Sequence, residues 1–200
     1  MPDGAIWLAD QPGRGKGVGQ PPSKVYPYKS GMYLFASKST TGFTPANDVV
    51  NLSPFPLLED TLVSGLVSRI IATMTAGTYR VVLYDSDNNG LPNNPLESST
   101  AISATALPGS PGTIYTFAAN RLLRAGLYYV GFVCTGASTF TNTVQGCILS
   151  DPIMPDAGVG ASRFGWTFAL GSGAAFPTAP AVTSGGAFGS AAPMIGLVLP

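Results

Sequence analysis

The sequence predicts an all-β protein: an antiparallel β-sandwich or jelly roll behind an extended N-terminal arm. Three observations carry that expectation. The chain holds 25 Gly and 18 Pro among its 200 residues, a density of chain breakers that suits frequent turns and not long helices. No stretch sustains the helical apolar period; residues 118–125, AANRLLRA, come nearest, are stopped by Gly126 and have room for one turn at most. Short runs of β-branched and aromatic residues recur instead, separated by clusters such as ALPGSPG, SDPIMPDAG and LGSGAAFPTAP.

Taken in order, residues 1–30 read as an arm and residues 31–200 as the sandwich. The arm contains QPGRGKGVGQPP, with neither helical nor strand periodicity. Near its start stand Ile6, Trp7 and Leu8, large apolar side chains with no local core to enter. A disordered tail is the plain alternative, but an exposed Trp on a tail is a solubility liability, so docking of these three on another subunit is the favoured expectation. GRGKG is not a phosphate loop, because Gly17 follows Lys16, the spacing is wrong and no strand precedes it.

Strand-like text begins near residue 32. The expected strands are 32–35 (MYLF), 62–74 (LVSGLVSRIIATM), 78–84 (TYRVVLY), 113–117, 127–134, 146–149, 164–169 and 194–199, eight or nine in all. Residues 36–46 (SKSTTGFTPAN) read as a loop after the first of them. A short turn at Ala76-Gly77 makes 62–74 and 78–84 a hairpin candidate. Residues 127–134 are apolar on both alternating faces, Tyr129, Gly131 and Val133 against Tyr128, Val130, Phe132 and Cys134. Such a strand belongs at the centre of a sheet covered on both sides. Residues 164–200 carry no charged side chain; 164–168 should be core strand, and burial between subunits is the favoured account of the remainder.

Composition narrows function. Charged residues are 10% of the chain and apolar ones 45%, with ten basic and ten acidic groups. A balance of zero argues against nucleic acid, and so low a charge density favours burial against neighbours in an assembly. No apolar stretch reaches the ~20 residues needed to cross a bilayer. The apolar run 5–9 is shorter than the roughly 7–15 residues of a secretory core. Synthesis in a cytoplasm without export, and no membrane insertion, are expected. Cys134 and Cys147 form no disulfide framework; a buried thiol is the plain expectation for Cys134, with a bridge across a hairpin as the alternative.

There is no histidine, which removes Ser-His-Asp and Cys-His catalysis and histidine-ligated zinc. A glycosidase needs two placed carboxylates, and the acids here lie mostly on the arm or in turns. The expectation is a non-enzymatic protein with no catalytic residues and no cofactor.

Residues 85–90, DSDNNG, open like an EF-hand loop. Counting from Asp85, however, Leu96 stands where a bidentate Glu is required, Glu97 comes one residue late, and the preceding text is strand-like. Asp and Asn bond to their own backbone and Gly supplies a positive φ, so the same residues make a good turn. The turn is the preferred reading; Asp85, Asp87 and Asn89 are kept as the calcium candidates.

Two motifs then stand out: Tyr84 followed by Asp87, Asn89, Gly90 and Pro92, and Leu123-x-Ala125-Gly126-x-Tyr128-Tyr129. Together they span much of residues 53–136, and that stretch resembles the jelly-roll-like β-sandwich module of tailed-bacteriophage tail-fibre and virion structural proteins. Asn93-Asn94 stand where the pattern tends to have Gly after the Pro, and Tyr129 where Trp is common. The resemblance implies a virion protein, a short fibre or a tail or capsid decoration assembled in the host cytoplasm. It would associate with itself, as a homotrimer, and with other virion proteins, and recognise a host cell-surface glycan. The competing class is a carbohydrate-binding module of a bacterial protein, for which Tyr33, Phe43, Tyr115 and Phe140 are the stacking candidates.

Overall fold

The computed structural model describes residues 6–7, 24–25, 33–35, 39–68, 77–103, 113–136, 144–147, 165–171, 173–178, 186–188, 192–193 and 195–200. Among them the chain forms strands and no helix. In chain order these are β1 (Ile6–Trp7), β2 (Lys24–Val25), β3 (Tyr33–Phe35), β4 (Ser39–Phe43), β5 (Val49–Leu57), β6 (Thr61–Ser68), β7 (Thr78–Ser86) and β8 (Pro92–Ser98). There follow β9 (Ile102–Ser103), β10 (Thr113–Leu123), β11 (Gly126–Thr135), β12 (Val144–Cys147), β13 (Gly165–Ala169), β14 (Gly186–Phe188), β15 (Ala192–Pro193) and β16 (Ile195–Val198).

Two antiparallel sheets pack face to face as a sandwich. The larger has seven strands, in the order β14-β13-β5-β11-β7-β8 with β9 also on β7; the smaller is β10-β6-β16-β3. Between them lie Phe55, Leu57, Tyr79, Val81, Leu83, Val130, Phe132 and Cys134 from the larger sheet, meeting Val63, Leu66, Phe117, Leu123, Ile195 and Leu197 from the smaller. Tyr79 and Phe132 stack within this core, ring centroids 5.4 Å apart. Burying a side chain of this size contributes about 1.5–3 kcal/mol. A three-stranded sheet, β15-β12-β4, and the separate β1-β2 pair complete the pairing.

The central place expected for residues 127–134 is found in β11, which pairs β5 on one side and β7 on the other. Its even-numbered residues enter the inter-sheet core, while Tyr129 and Val133 join a second buried cluster on the outer face with Val50, Leu52, Val82, Tyr84, Trp166 and Phe168. Gly131 sits opposite Leu52 and Val82. A methyl group there would overlap Leu52 Cδ2 and come within 2.8 Å of Val82 Cγ1, so the glycine lets two larger neighbours close over it.

One expectation is corrected. The described residues of 62–74 and 78–84 do not pair as a hairpin, 69–74 lying outside the description: β6 is in the four-stranded sheet and β7 in the seven-stranded one. β6 finds its partners in β10 and β16 instead, and the chain crosses the sandwich between β6 and β7. Eight strands were not anticipated: the short β1, β2, β9, β14 and β15, and the longer β4, β5 and β8. β4 lies in the stretch read as a loop, and β5 and β8 carry prolines. In β5, β13 pairs only residues 49–52, so Pro54 and Pro56 fall where β11 is the one ladder partner. β8, with Pro92 and Pro95, is an edge strand. A residue without an N–H is tolerated in both settings.

β10 also departs from expectation. The helical-turn candidate 118–125 is mostly strand here, with a bulge: Thr116 pairs Gly65 and Arg121 pairs Val63, so four residues face one. Phe117 enters the core while Ala118, Ala119 and Asn120 are exposed. A bulge of this kind disrupts the open edge of a sheet and discourages further strand pairing.

Candidate functional site

The antiparallel ribbon formed by β5 and β11 in one sheet continues as β6 and β10 in the other. Its corner lies between Leu57 and Thr61 on one chain segment and between Leu123 and Gly126 on the other. Asp60 fastens this corner. Its Oδ1 accepts the Ala125 N–H at 2.9 Å and its Oδ2 accepts Arg124 Nη1 at 2.5 Å. The Ala125 N–H, with the Arg124 guanidinium behind it, holds the Asp60 carboxyl below its ordinary range. Tyr128 donates its hydroxyl to the Arg124 carbonyl at 3.0 Å. The Leu-x-Ala-Gly-x-Tyr-Tyr motif is therefore the outgoing half of the corner.

The 85–90 loop is a tight connection from β7 to β8. Asp87 N–H donates to the Leu91 carbonyl at 2.8 Å, Gly90 N–H donates to the Asp87 carbonyl at 3.0 Å, and Gly90 adopts φ 75°. That is a three-residue hairpin loop, a turn closed by a left-handed residue, where glycine is the least strained choice. Asp87 Oδ1 accepts the N–H groups of Asn89 and Leu91 at 2.9 and 2.8 Å, and Asp85 Oδ1 accepts that of Asn94 at 2.6 Å. Both carboxylates thus hold backbone, and Asn89 is exposed. Among the described residues no three His, Cys, Asp or Glu side chains gather as a metal-binding group; the arrangement fits a turn better than a calcium cage.

The two motifs meet in space. Tyr129, fully buried, donates its hydroxyl to the Gly90 carbonyl at 2.5 Å. Burial pushes that hydroxyl up to about 12, against the opposing pull of Trp166. Separated in sequence, the Asp-x-Asn-Gly loop and the Tyr-Tyr strand are two sides of one joint.

On the outer face of the seven-stranded sheet lie residues 170–171 and 173–178, which supply Leu170 and Phe176 to the outer cluster. Arg80 donates from Nη1 to the Ala174 carbonyl at 2.6 Å and from Nε to the Ser99 carbonyl at 3.3 Å. Its guanidinium carbon lies 4.3 Å from the centroid of the Phe176 ring, within cation–π range. Tyr84 donates to the Pro177 carbonyl at 2.7 Å, and burial raises its hydroxyl above the ordinary range. Leu170 N–H donates to Asp48, which is held at φ 57°.

This segment bears on the charge-free tail. Leu170, Phe176, Ile195, Leu197, Val198 and Leu199 are buried within one copy of the chain, so a neighbouring subunit is not needed to cover them. Arg80, Tyr84 and Asp60 carry no sign of these roles in the sequence; lone polar residues at a strand or turn reveal no partner until the tertiary fold supplies it.

The other candidates are placed as follows. Ile6 and Trp7 form β1, whose backbone pairs β2 with Ile6 opposite Val25 and Trp7 opposite Lys24; Leu8 lies outside the described residues. Of the proposed sugar-stacking aromatics, Tyr115 packs against the inter-sheet core and meets Phe117 edge-on at 5.8 Å. Phe140 lies outside the described residues, as do the side chains of Tyr33 and Phe43. Cys134 is buried, and burial pushes its thiol above its ordinary range.

Large apolar side chains do reach solvent on the other side of the sandwich. Leu62 and Leu122, directly opposed on β6 and β10, are 45% and 52% exposed, Ile114 on β10 is 43% exposed, and Leu58 at the corner is 80% exposed. No known protein-family model matches the chain, and no curated protein matches it.

Proposed function

We propose that the chain is a non-enzymatic structural protein of a tailed-phage virion, a short fibre or a tail or capsid decoration. It docks through residues 1–30 and associates with copies of itself through the sandwich, as a trimer, with host-surface glycan recognition as a further role. The observation that carries this reading is the exposed, directly opposed pair Leu62 and Leu122 on the outer face of the four-stranded sheet, with Ile114 also exposed farther along β10. In a chain with 10% charged residues, apolar groups exposed side by side mark a surface for another protein.

The resemblance motifs support it in a second way. Their polar groups are spent on the corner and on the joint between Tyr129 and Gly90, as befits a module whose task is to keep its shape. The test is solution mass across a concentration series for the full chain and for a chain lacking residues 1–30, with binding of each to purified phage particles. A trimer from either chain, with particle binding that needs residues 1–30, is the expected result. A full chain that stays monomeric when concentrated and ignores the particles overturns the proposal. Glycan-array binding by the chain lacking residues 1–30 tests the receptor role separately.

A further inference from the structure

Asn89 stands in the loop that joins β7 to β8, and of all the asparagines in the chain it alone is followed by glycine. Asparagine is thermolabile because the next backbone nitrogen can attack its side-chain carbonyl carbon, and a glycine, with no side chain, leaves that nitrogen unhindered. Here the carbon under attack is open. Asn89 is exposed, and its side-chain amide bonds to none of the described residues.

The attacking nitrogen is not open. It belongs to Gly90, which donates its N–H to the Asp87 carbonyl at 3.0 Å. Tyr129 holds the Gly90 carbonyl from the other side, and Asp87 Oδ1 accepts the N–H groups of Asn89 and Leu91. To reach the Asn89 side chain the Gly90 nitrogen must swing away from Asp87, so the loop has to open locally first.

We infer that Asn89 is a deamidation site, and that the joint between Asp87, Gly90 and Tyr129 sets how fast it reacts. Base removes the Gly90 amide proton, the nitrogen bonds to Asn89 Cγ, and the side-chain nitrogen leaves as ammonia. Water then opens the succinimide ring. Cleavage of the new bond to Cγ gives aspartate on the original backbone. Cleavage of the old peptide bond gives isoaspartate, in which the chain runs through Cβ and Cγ and is one carbon longer. Asparagine and water become a carboxylate and ammonium, and nothing is oxidised or reduced. The longer backbone does not fit a loop closed between Asp87 and Leu91, so the Gly90 carbonyl is carried off Tyr129. The site is a slow, irreversible timer on the contact between the two motifs, and it is independent of what the chain assembles with.

The test keeps four full-length chains in mildly alkaline buffer for weeks: unaltered, Tyr129→Phe, Asp87→Ala and Asn89→Gln. Peptide mass spectrometry with fragmentation locates each exchange of an amide NH2 for OH and tells isoaspartate from aspartate. The unaltered chain should react at Asn89 before any other amide. Tyr129→Phe should react there roughly fivefold or more faster, because a lost buried hydrogen bond raises the open population by such a factor. Asp87→Ala should also be faster, and the unaltered chain unfolded in guanidinium chloride fastest of all. Asn89→Gln, whose ring would be one atom larger, should stay intact at this position. A folded chain in which another amide reacts first, or none does, overturns the site. Equal rates at Asn89 in the folded, variant and unfolded chains overturn control by the joint. The purified isoaspartate form should melt no higher than Tyr129→Phe; melting with the unaltered chain would overturn the loosening. Should Tyr129→Phe fail to fold, Asp87→Ala against the unaltered and unfolded chains decides the same question.

Discussion

The two sheets of the sandwich share one core but are finished differently on their outward faces. The seven-stranded sheet carries a second apolar layer, Val50, Leu52, Val82, Tyr84, Tyr129 and Val133, and covers it with its own chain through Leu170 and Phe176. The four-stranded sheet leaves Leu62, Ile114 and Leu122 in contact with water. Equal hydrophobicity thus leads to different ends. One face has a strap with hydrogen-bonded anchors; on the other Leu62 and Leu122 stay exposed, although Val67 opposite Ile114 is buried. An apolar face says that something must lie on it; the anchoring polar groups beside it say whether the chain supplies that cover itself.

Substitutions can break or sharpen this contrast. The largest effect is expected at Gly65, where a side chain would overlap the Tyr115 carbonyl oxygen, a backbone atom with no freedom to rotate away. Gly65→Ala should part β6 from β10 and lower stability by about 3 kcal/mol, read as a loss of denaturation midpoint. Gly131→Ala meets the ends of Leu52 and Val82 instead, and should cost less because those side chains can turn.

Phe176→Ala strips the strap of its ring and uncovers the outer cluster. A loss of about 2–3 kcal/mol is expected, together with faster proteolysis near residues 170–178. A strap cut no faster than in the unaltered chain would show that the ring is not what holds it.

Tyr129→Phe removes the hydroxyl that reaches Gly90 and leaves a carbonyl without its donor, at a cost of about 1–2 kcal/mol. It should also change the alkaline response. The Tyr129 hydroxyl ionises near 10 in an ordinary setting and at about 12 in the fold. The native state therefore favours the protonated form, and this contribution is whole below pH 10 and lost as the pH climbs toward 12. Melting temperature followed from pH 9 to 12 should fall less steeply in Tyr129→Phe; parallel curves would show that another group governs the decline.

The smallest change in stability is expected on the bare sheet. Leu62→Ser with Leu122→Ser should leave the melt within about 0.5 kcal/mol of the original while weakening self-association measured by light scattering. An unchanged assembly would move the interface elsewhere.

All four strands of the smaller sheet were legible in the sequence, and in the seven-stranded sheet β7, β11 and β13 were. Apolar residues on both faces of 127–134 placed β11 at the centre, and Asp87, Asn89 and Gly90 read as turn chemistry that the hydrogen bonds now account for. What misled was proline. Pro54, Pro56, Pro92 and Pro95 made β5 and β8 look like loops, because one chain cannot reveal whether a missing N–H would face a partner strand or open space. Sheet membership was equally hidden: the approach to Gly77 resembles a hairpin turn whether the chain folds back or crosses the sandwich. The Asp85 and Asp87 candidates could be ranked as turn or metal only once their oxygens had visible partners. The arm, sparse in apolar periodicity, offered composition alone.

The position of β16 has a consequence for how the protein is made. It sits between β6 and β3, which do not pair with each other, so one sheet has a gap at its centre until residue 198 has left the ribosome. Until then Leu66 and its neighbours lack the strand that completes their layer, and the nascent chain is open to wrong pairing there. Slowing translation between residues 123 and 195, after β10 has formed and before β16 appears, should therefore lower the yield of soluble protein.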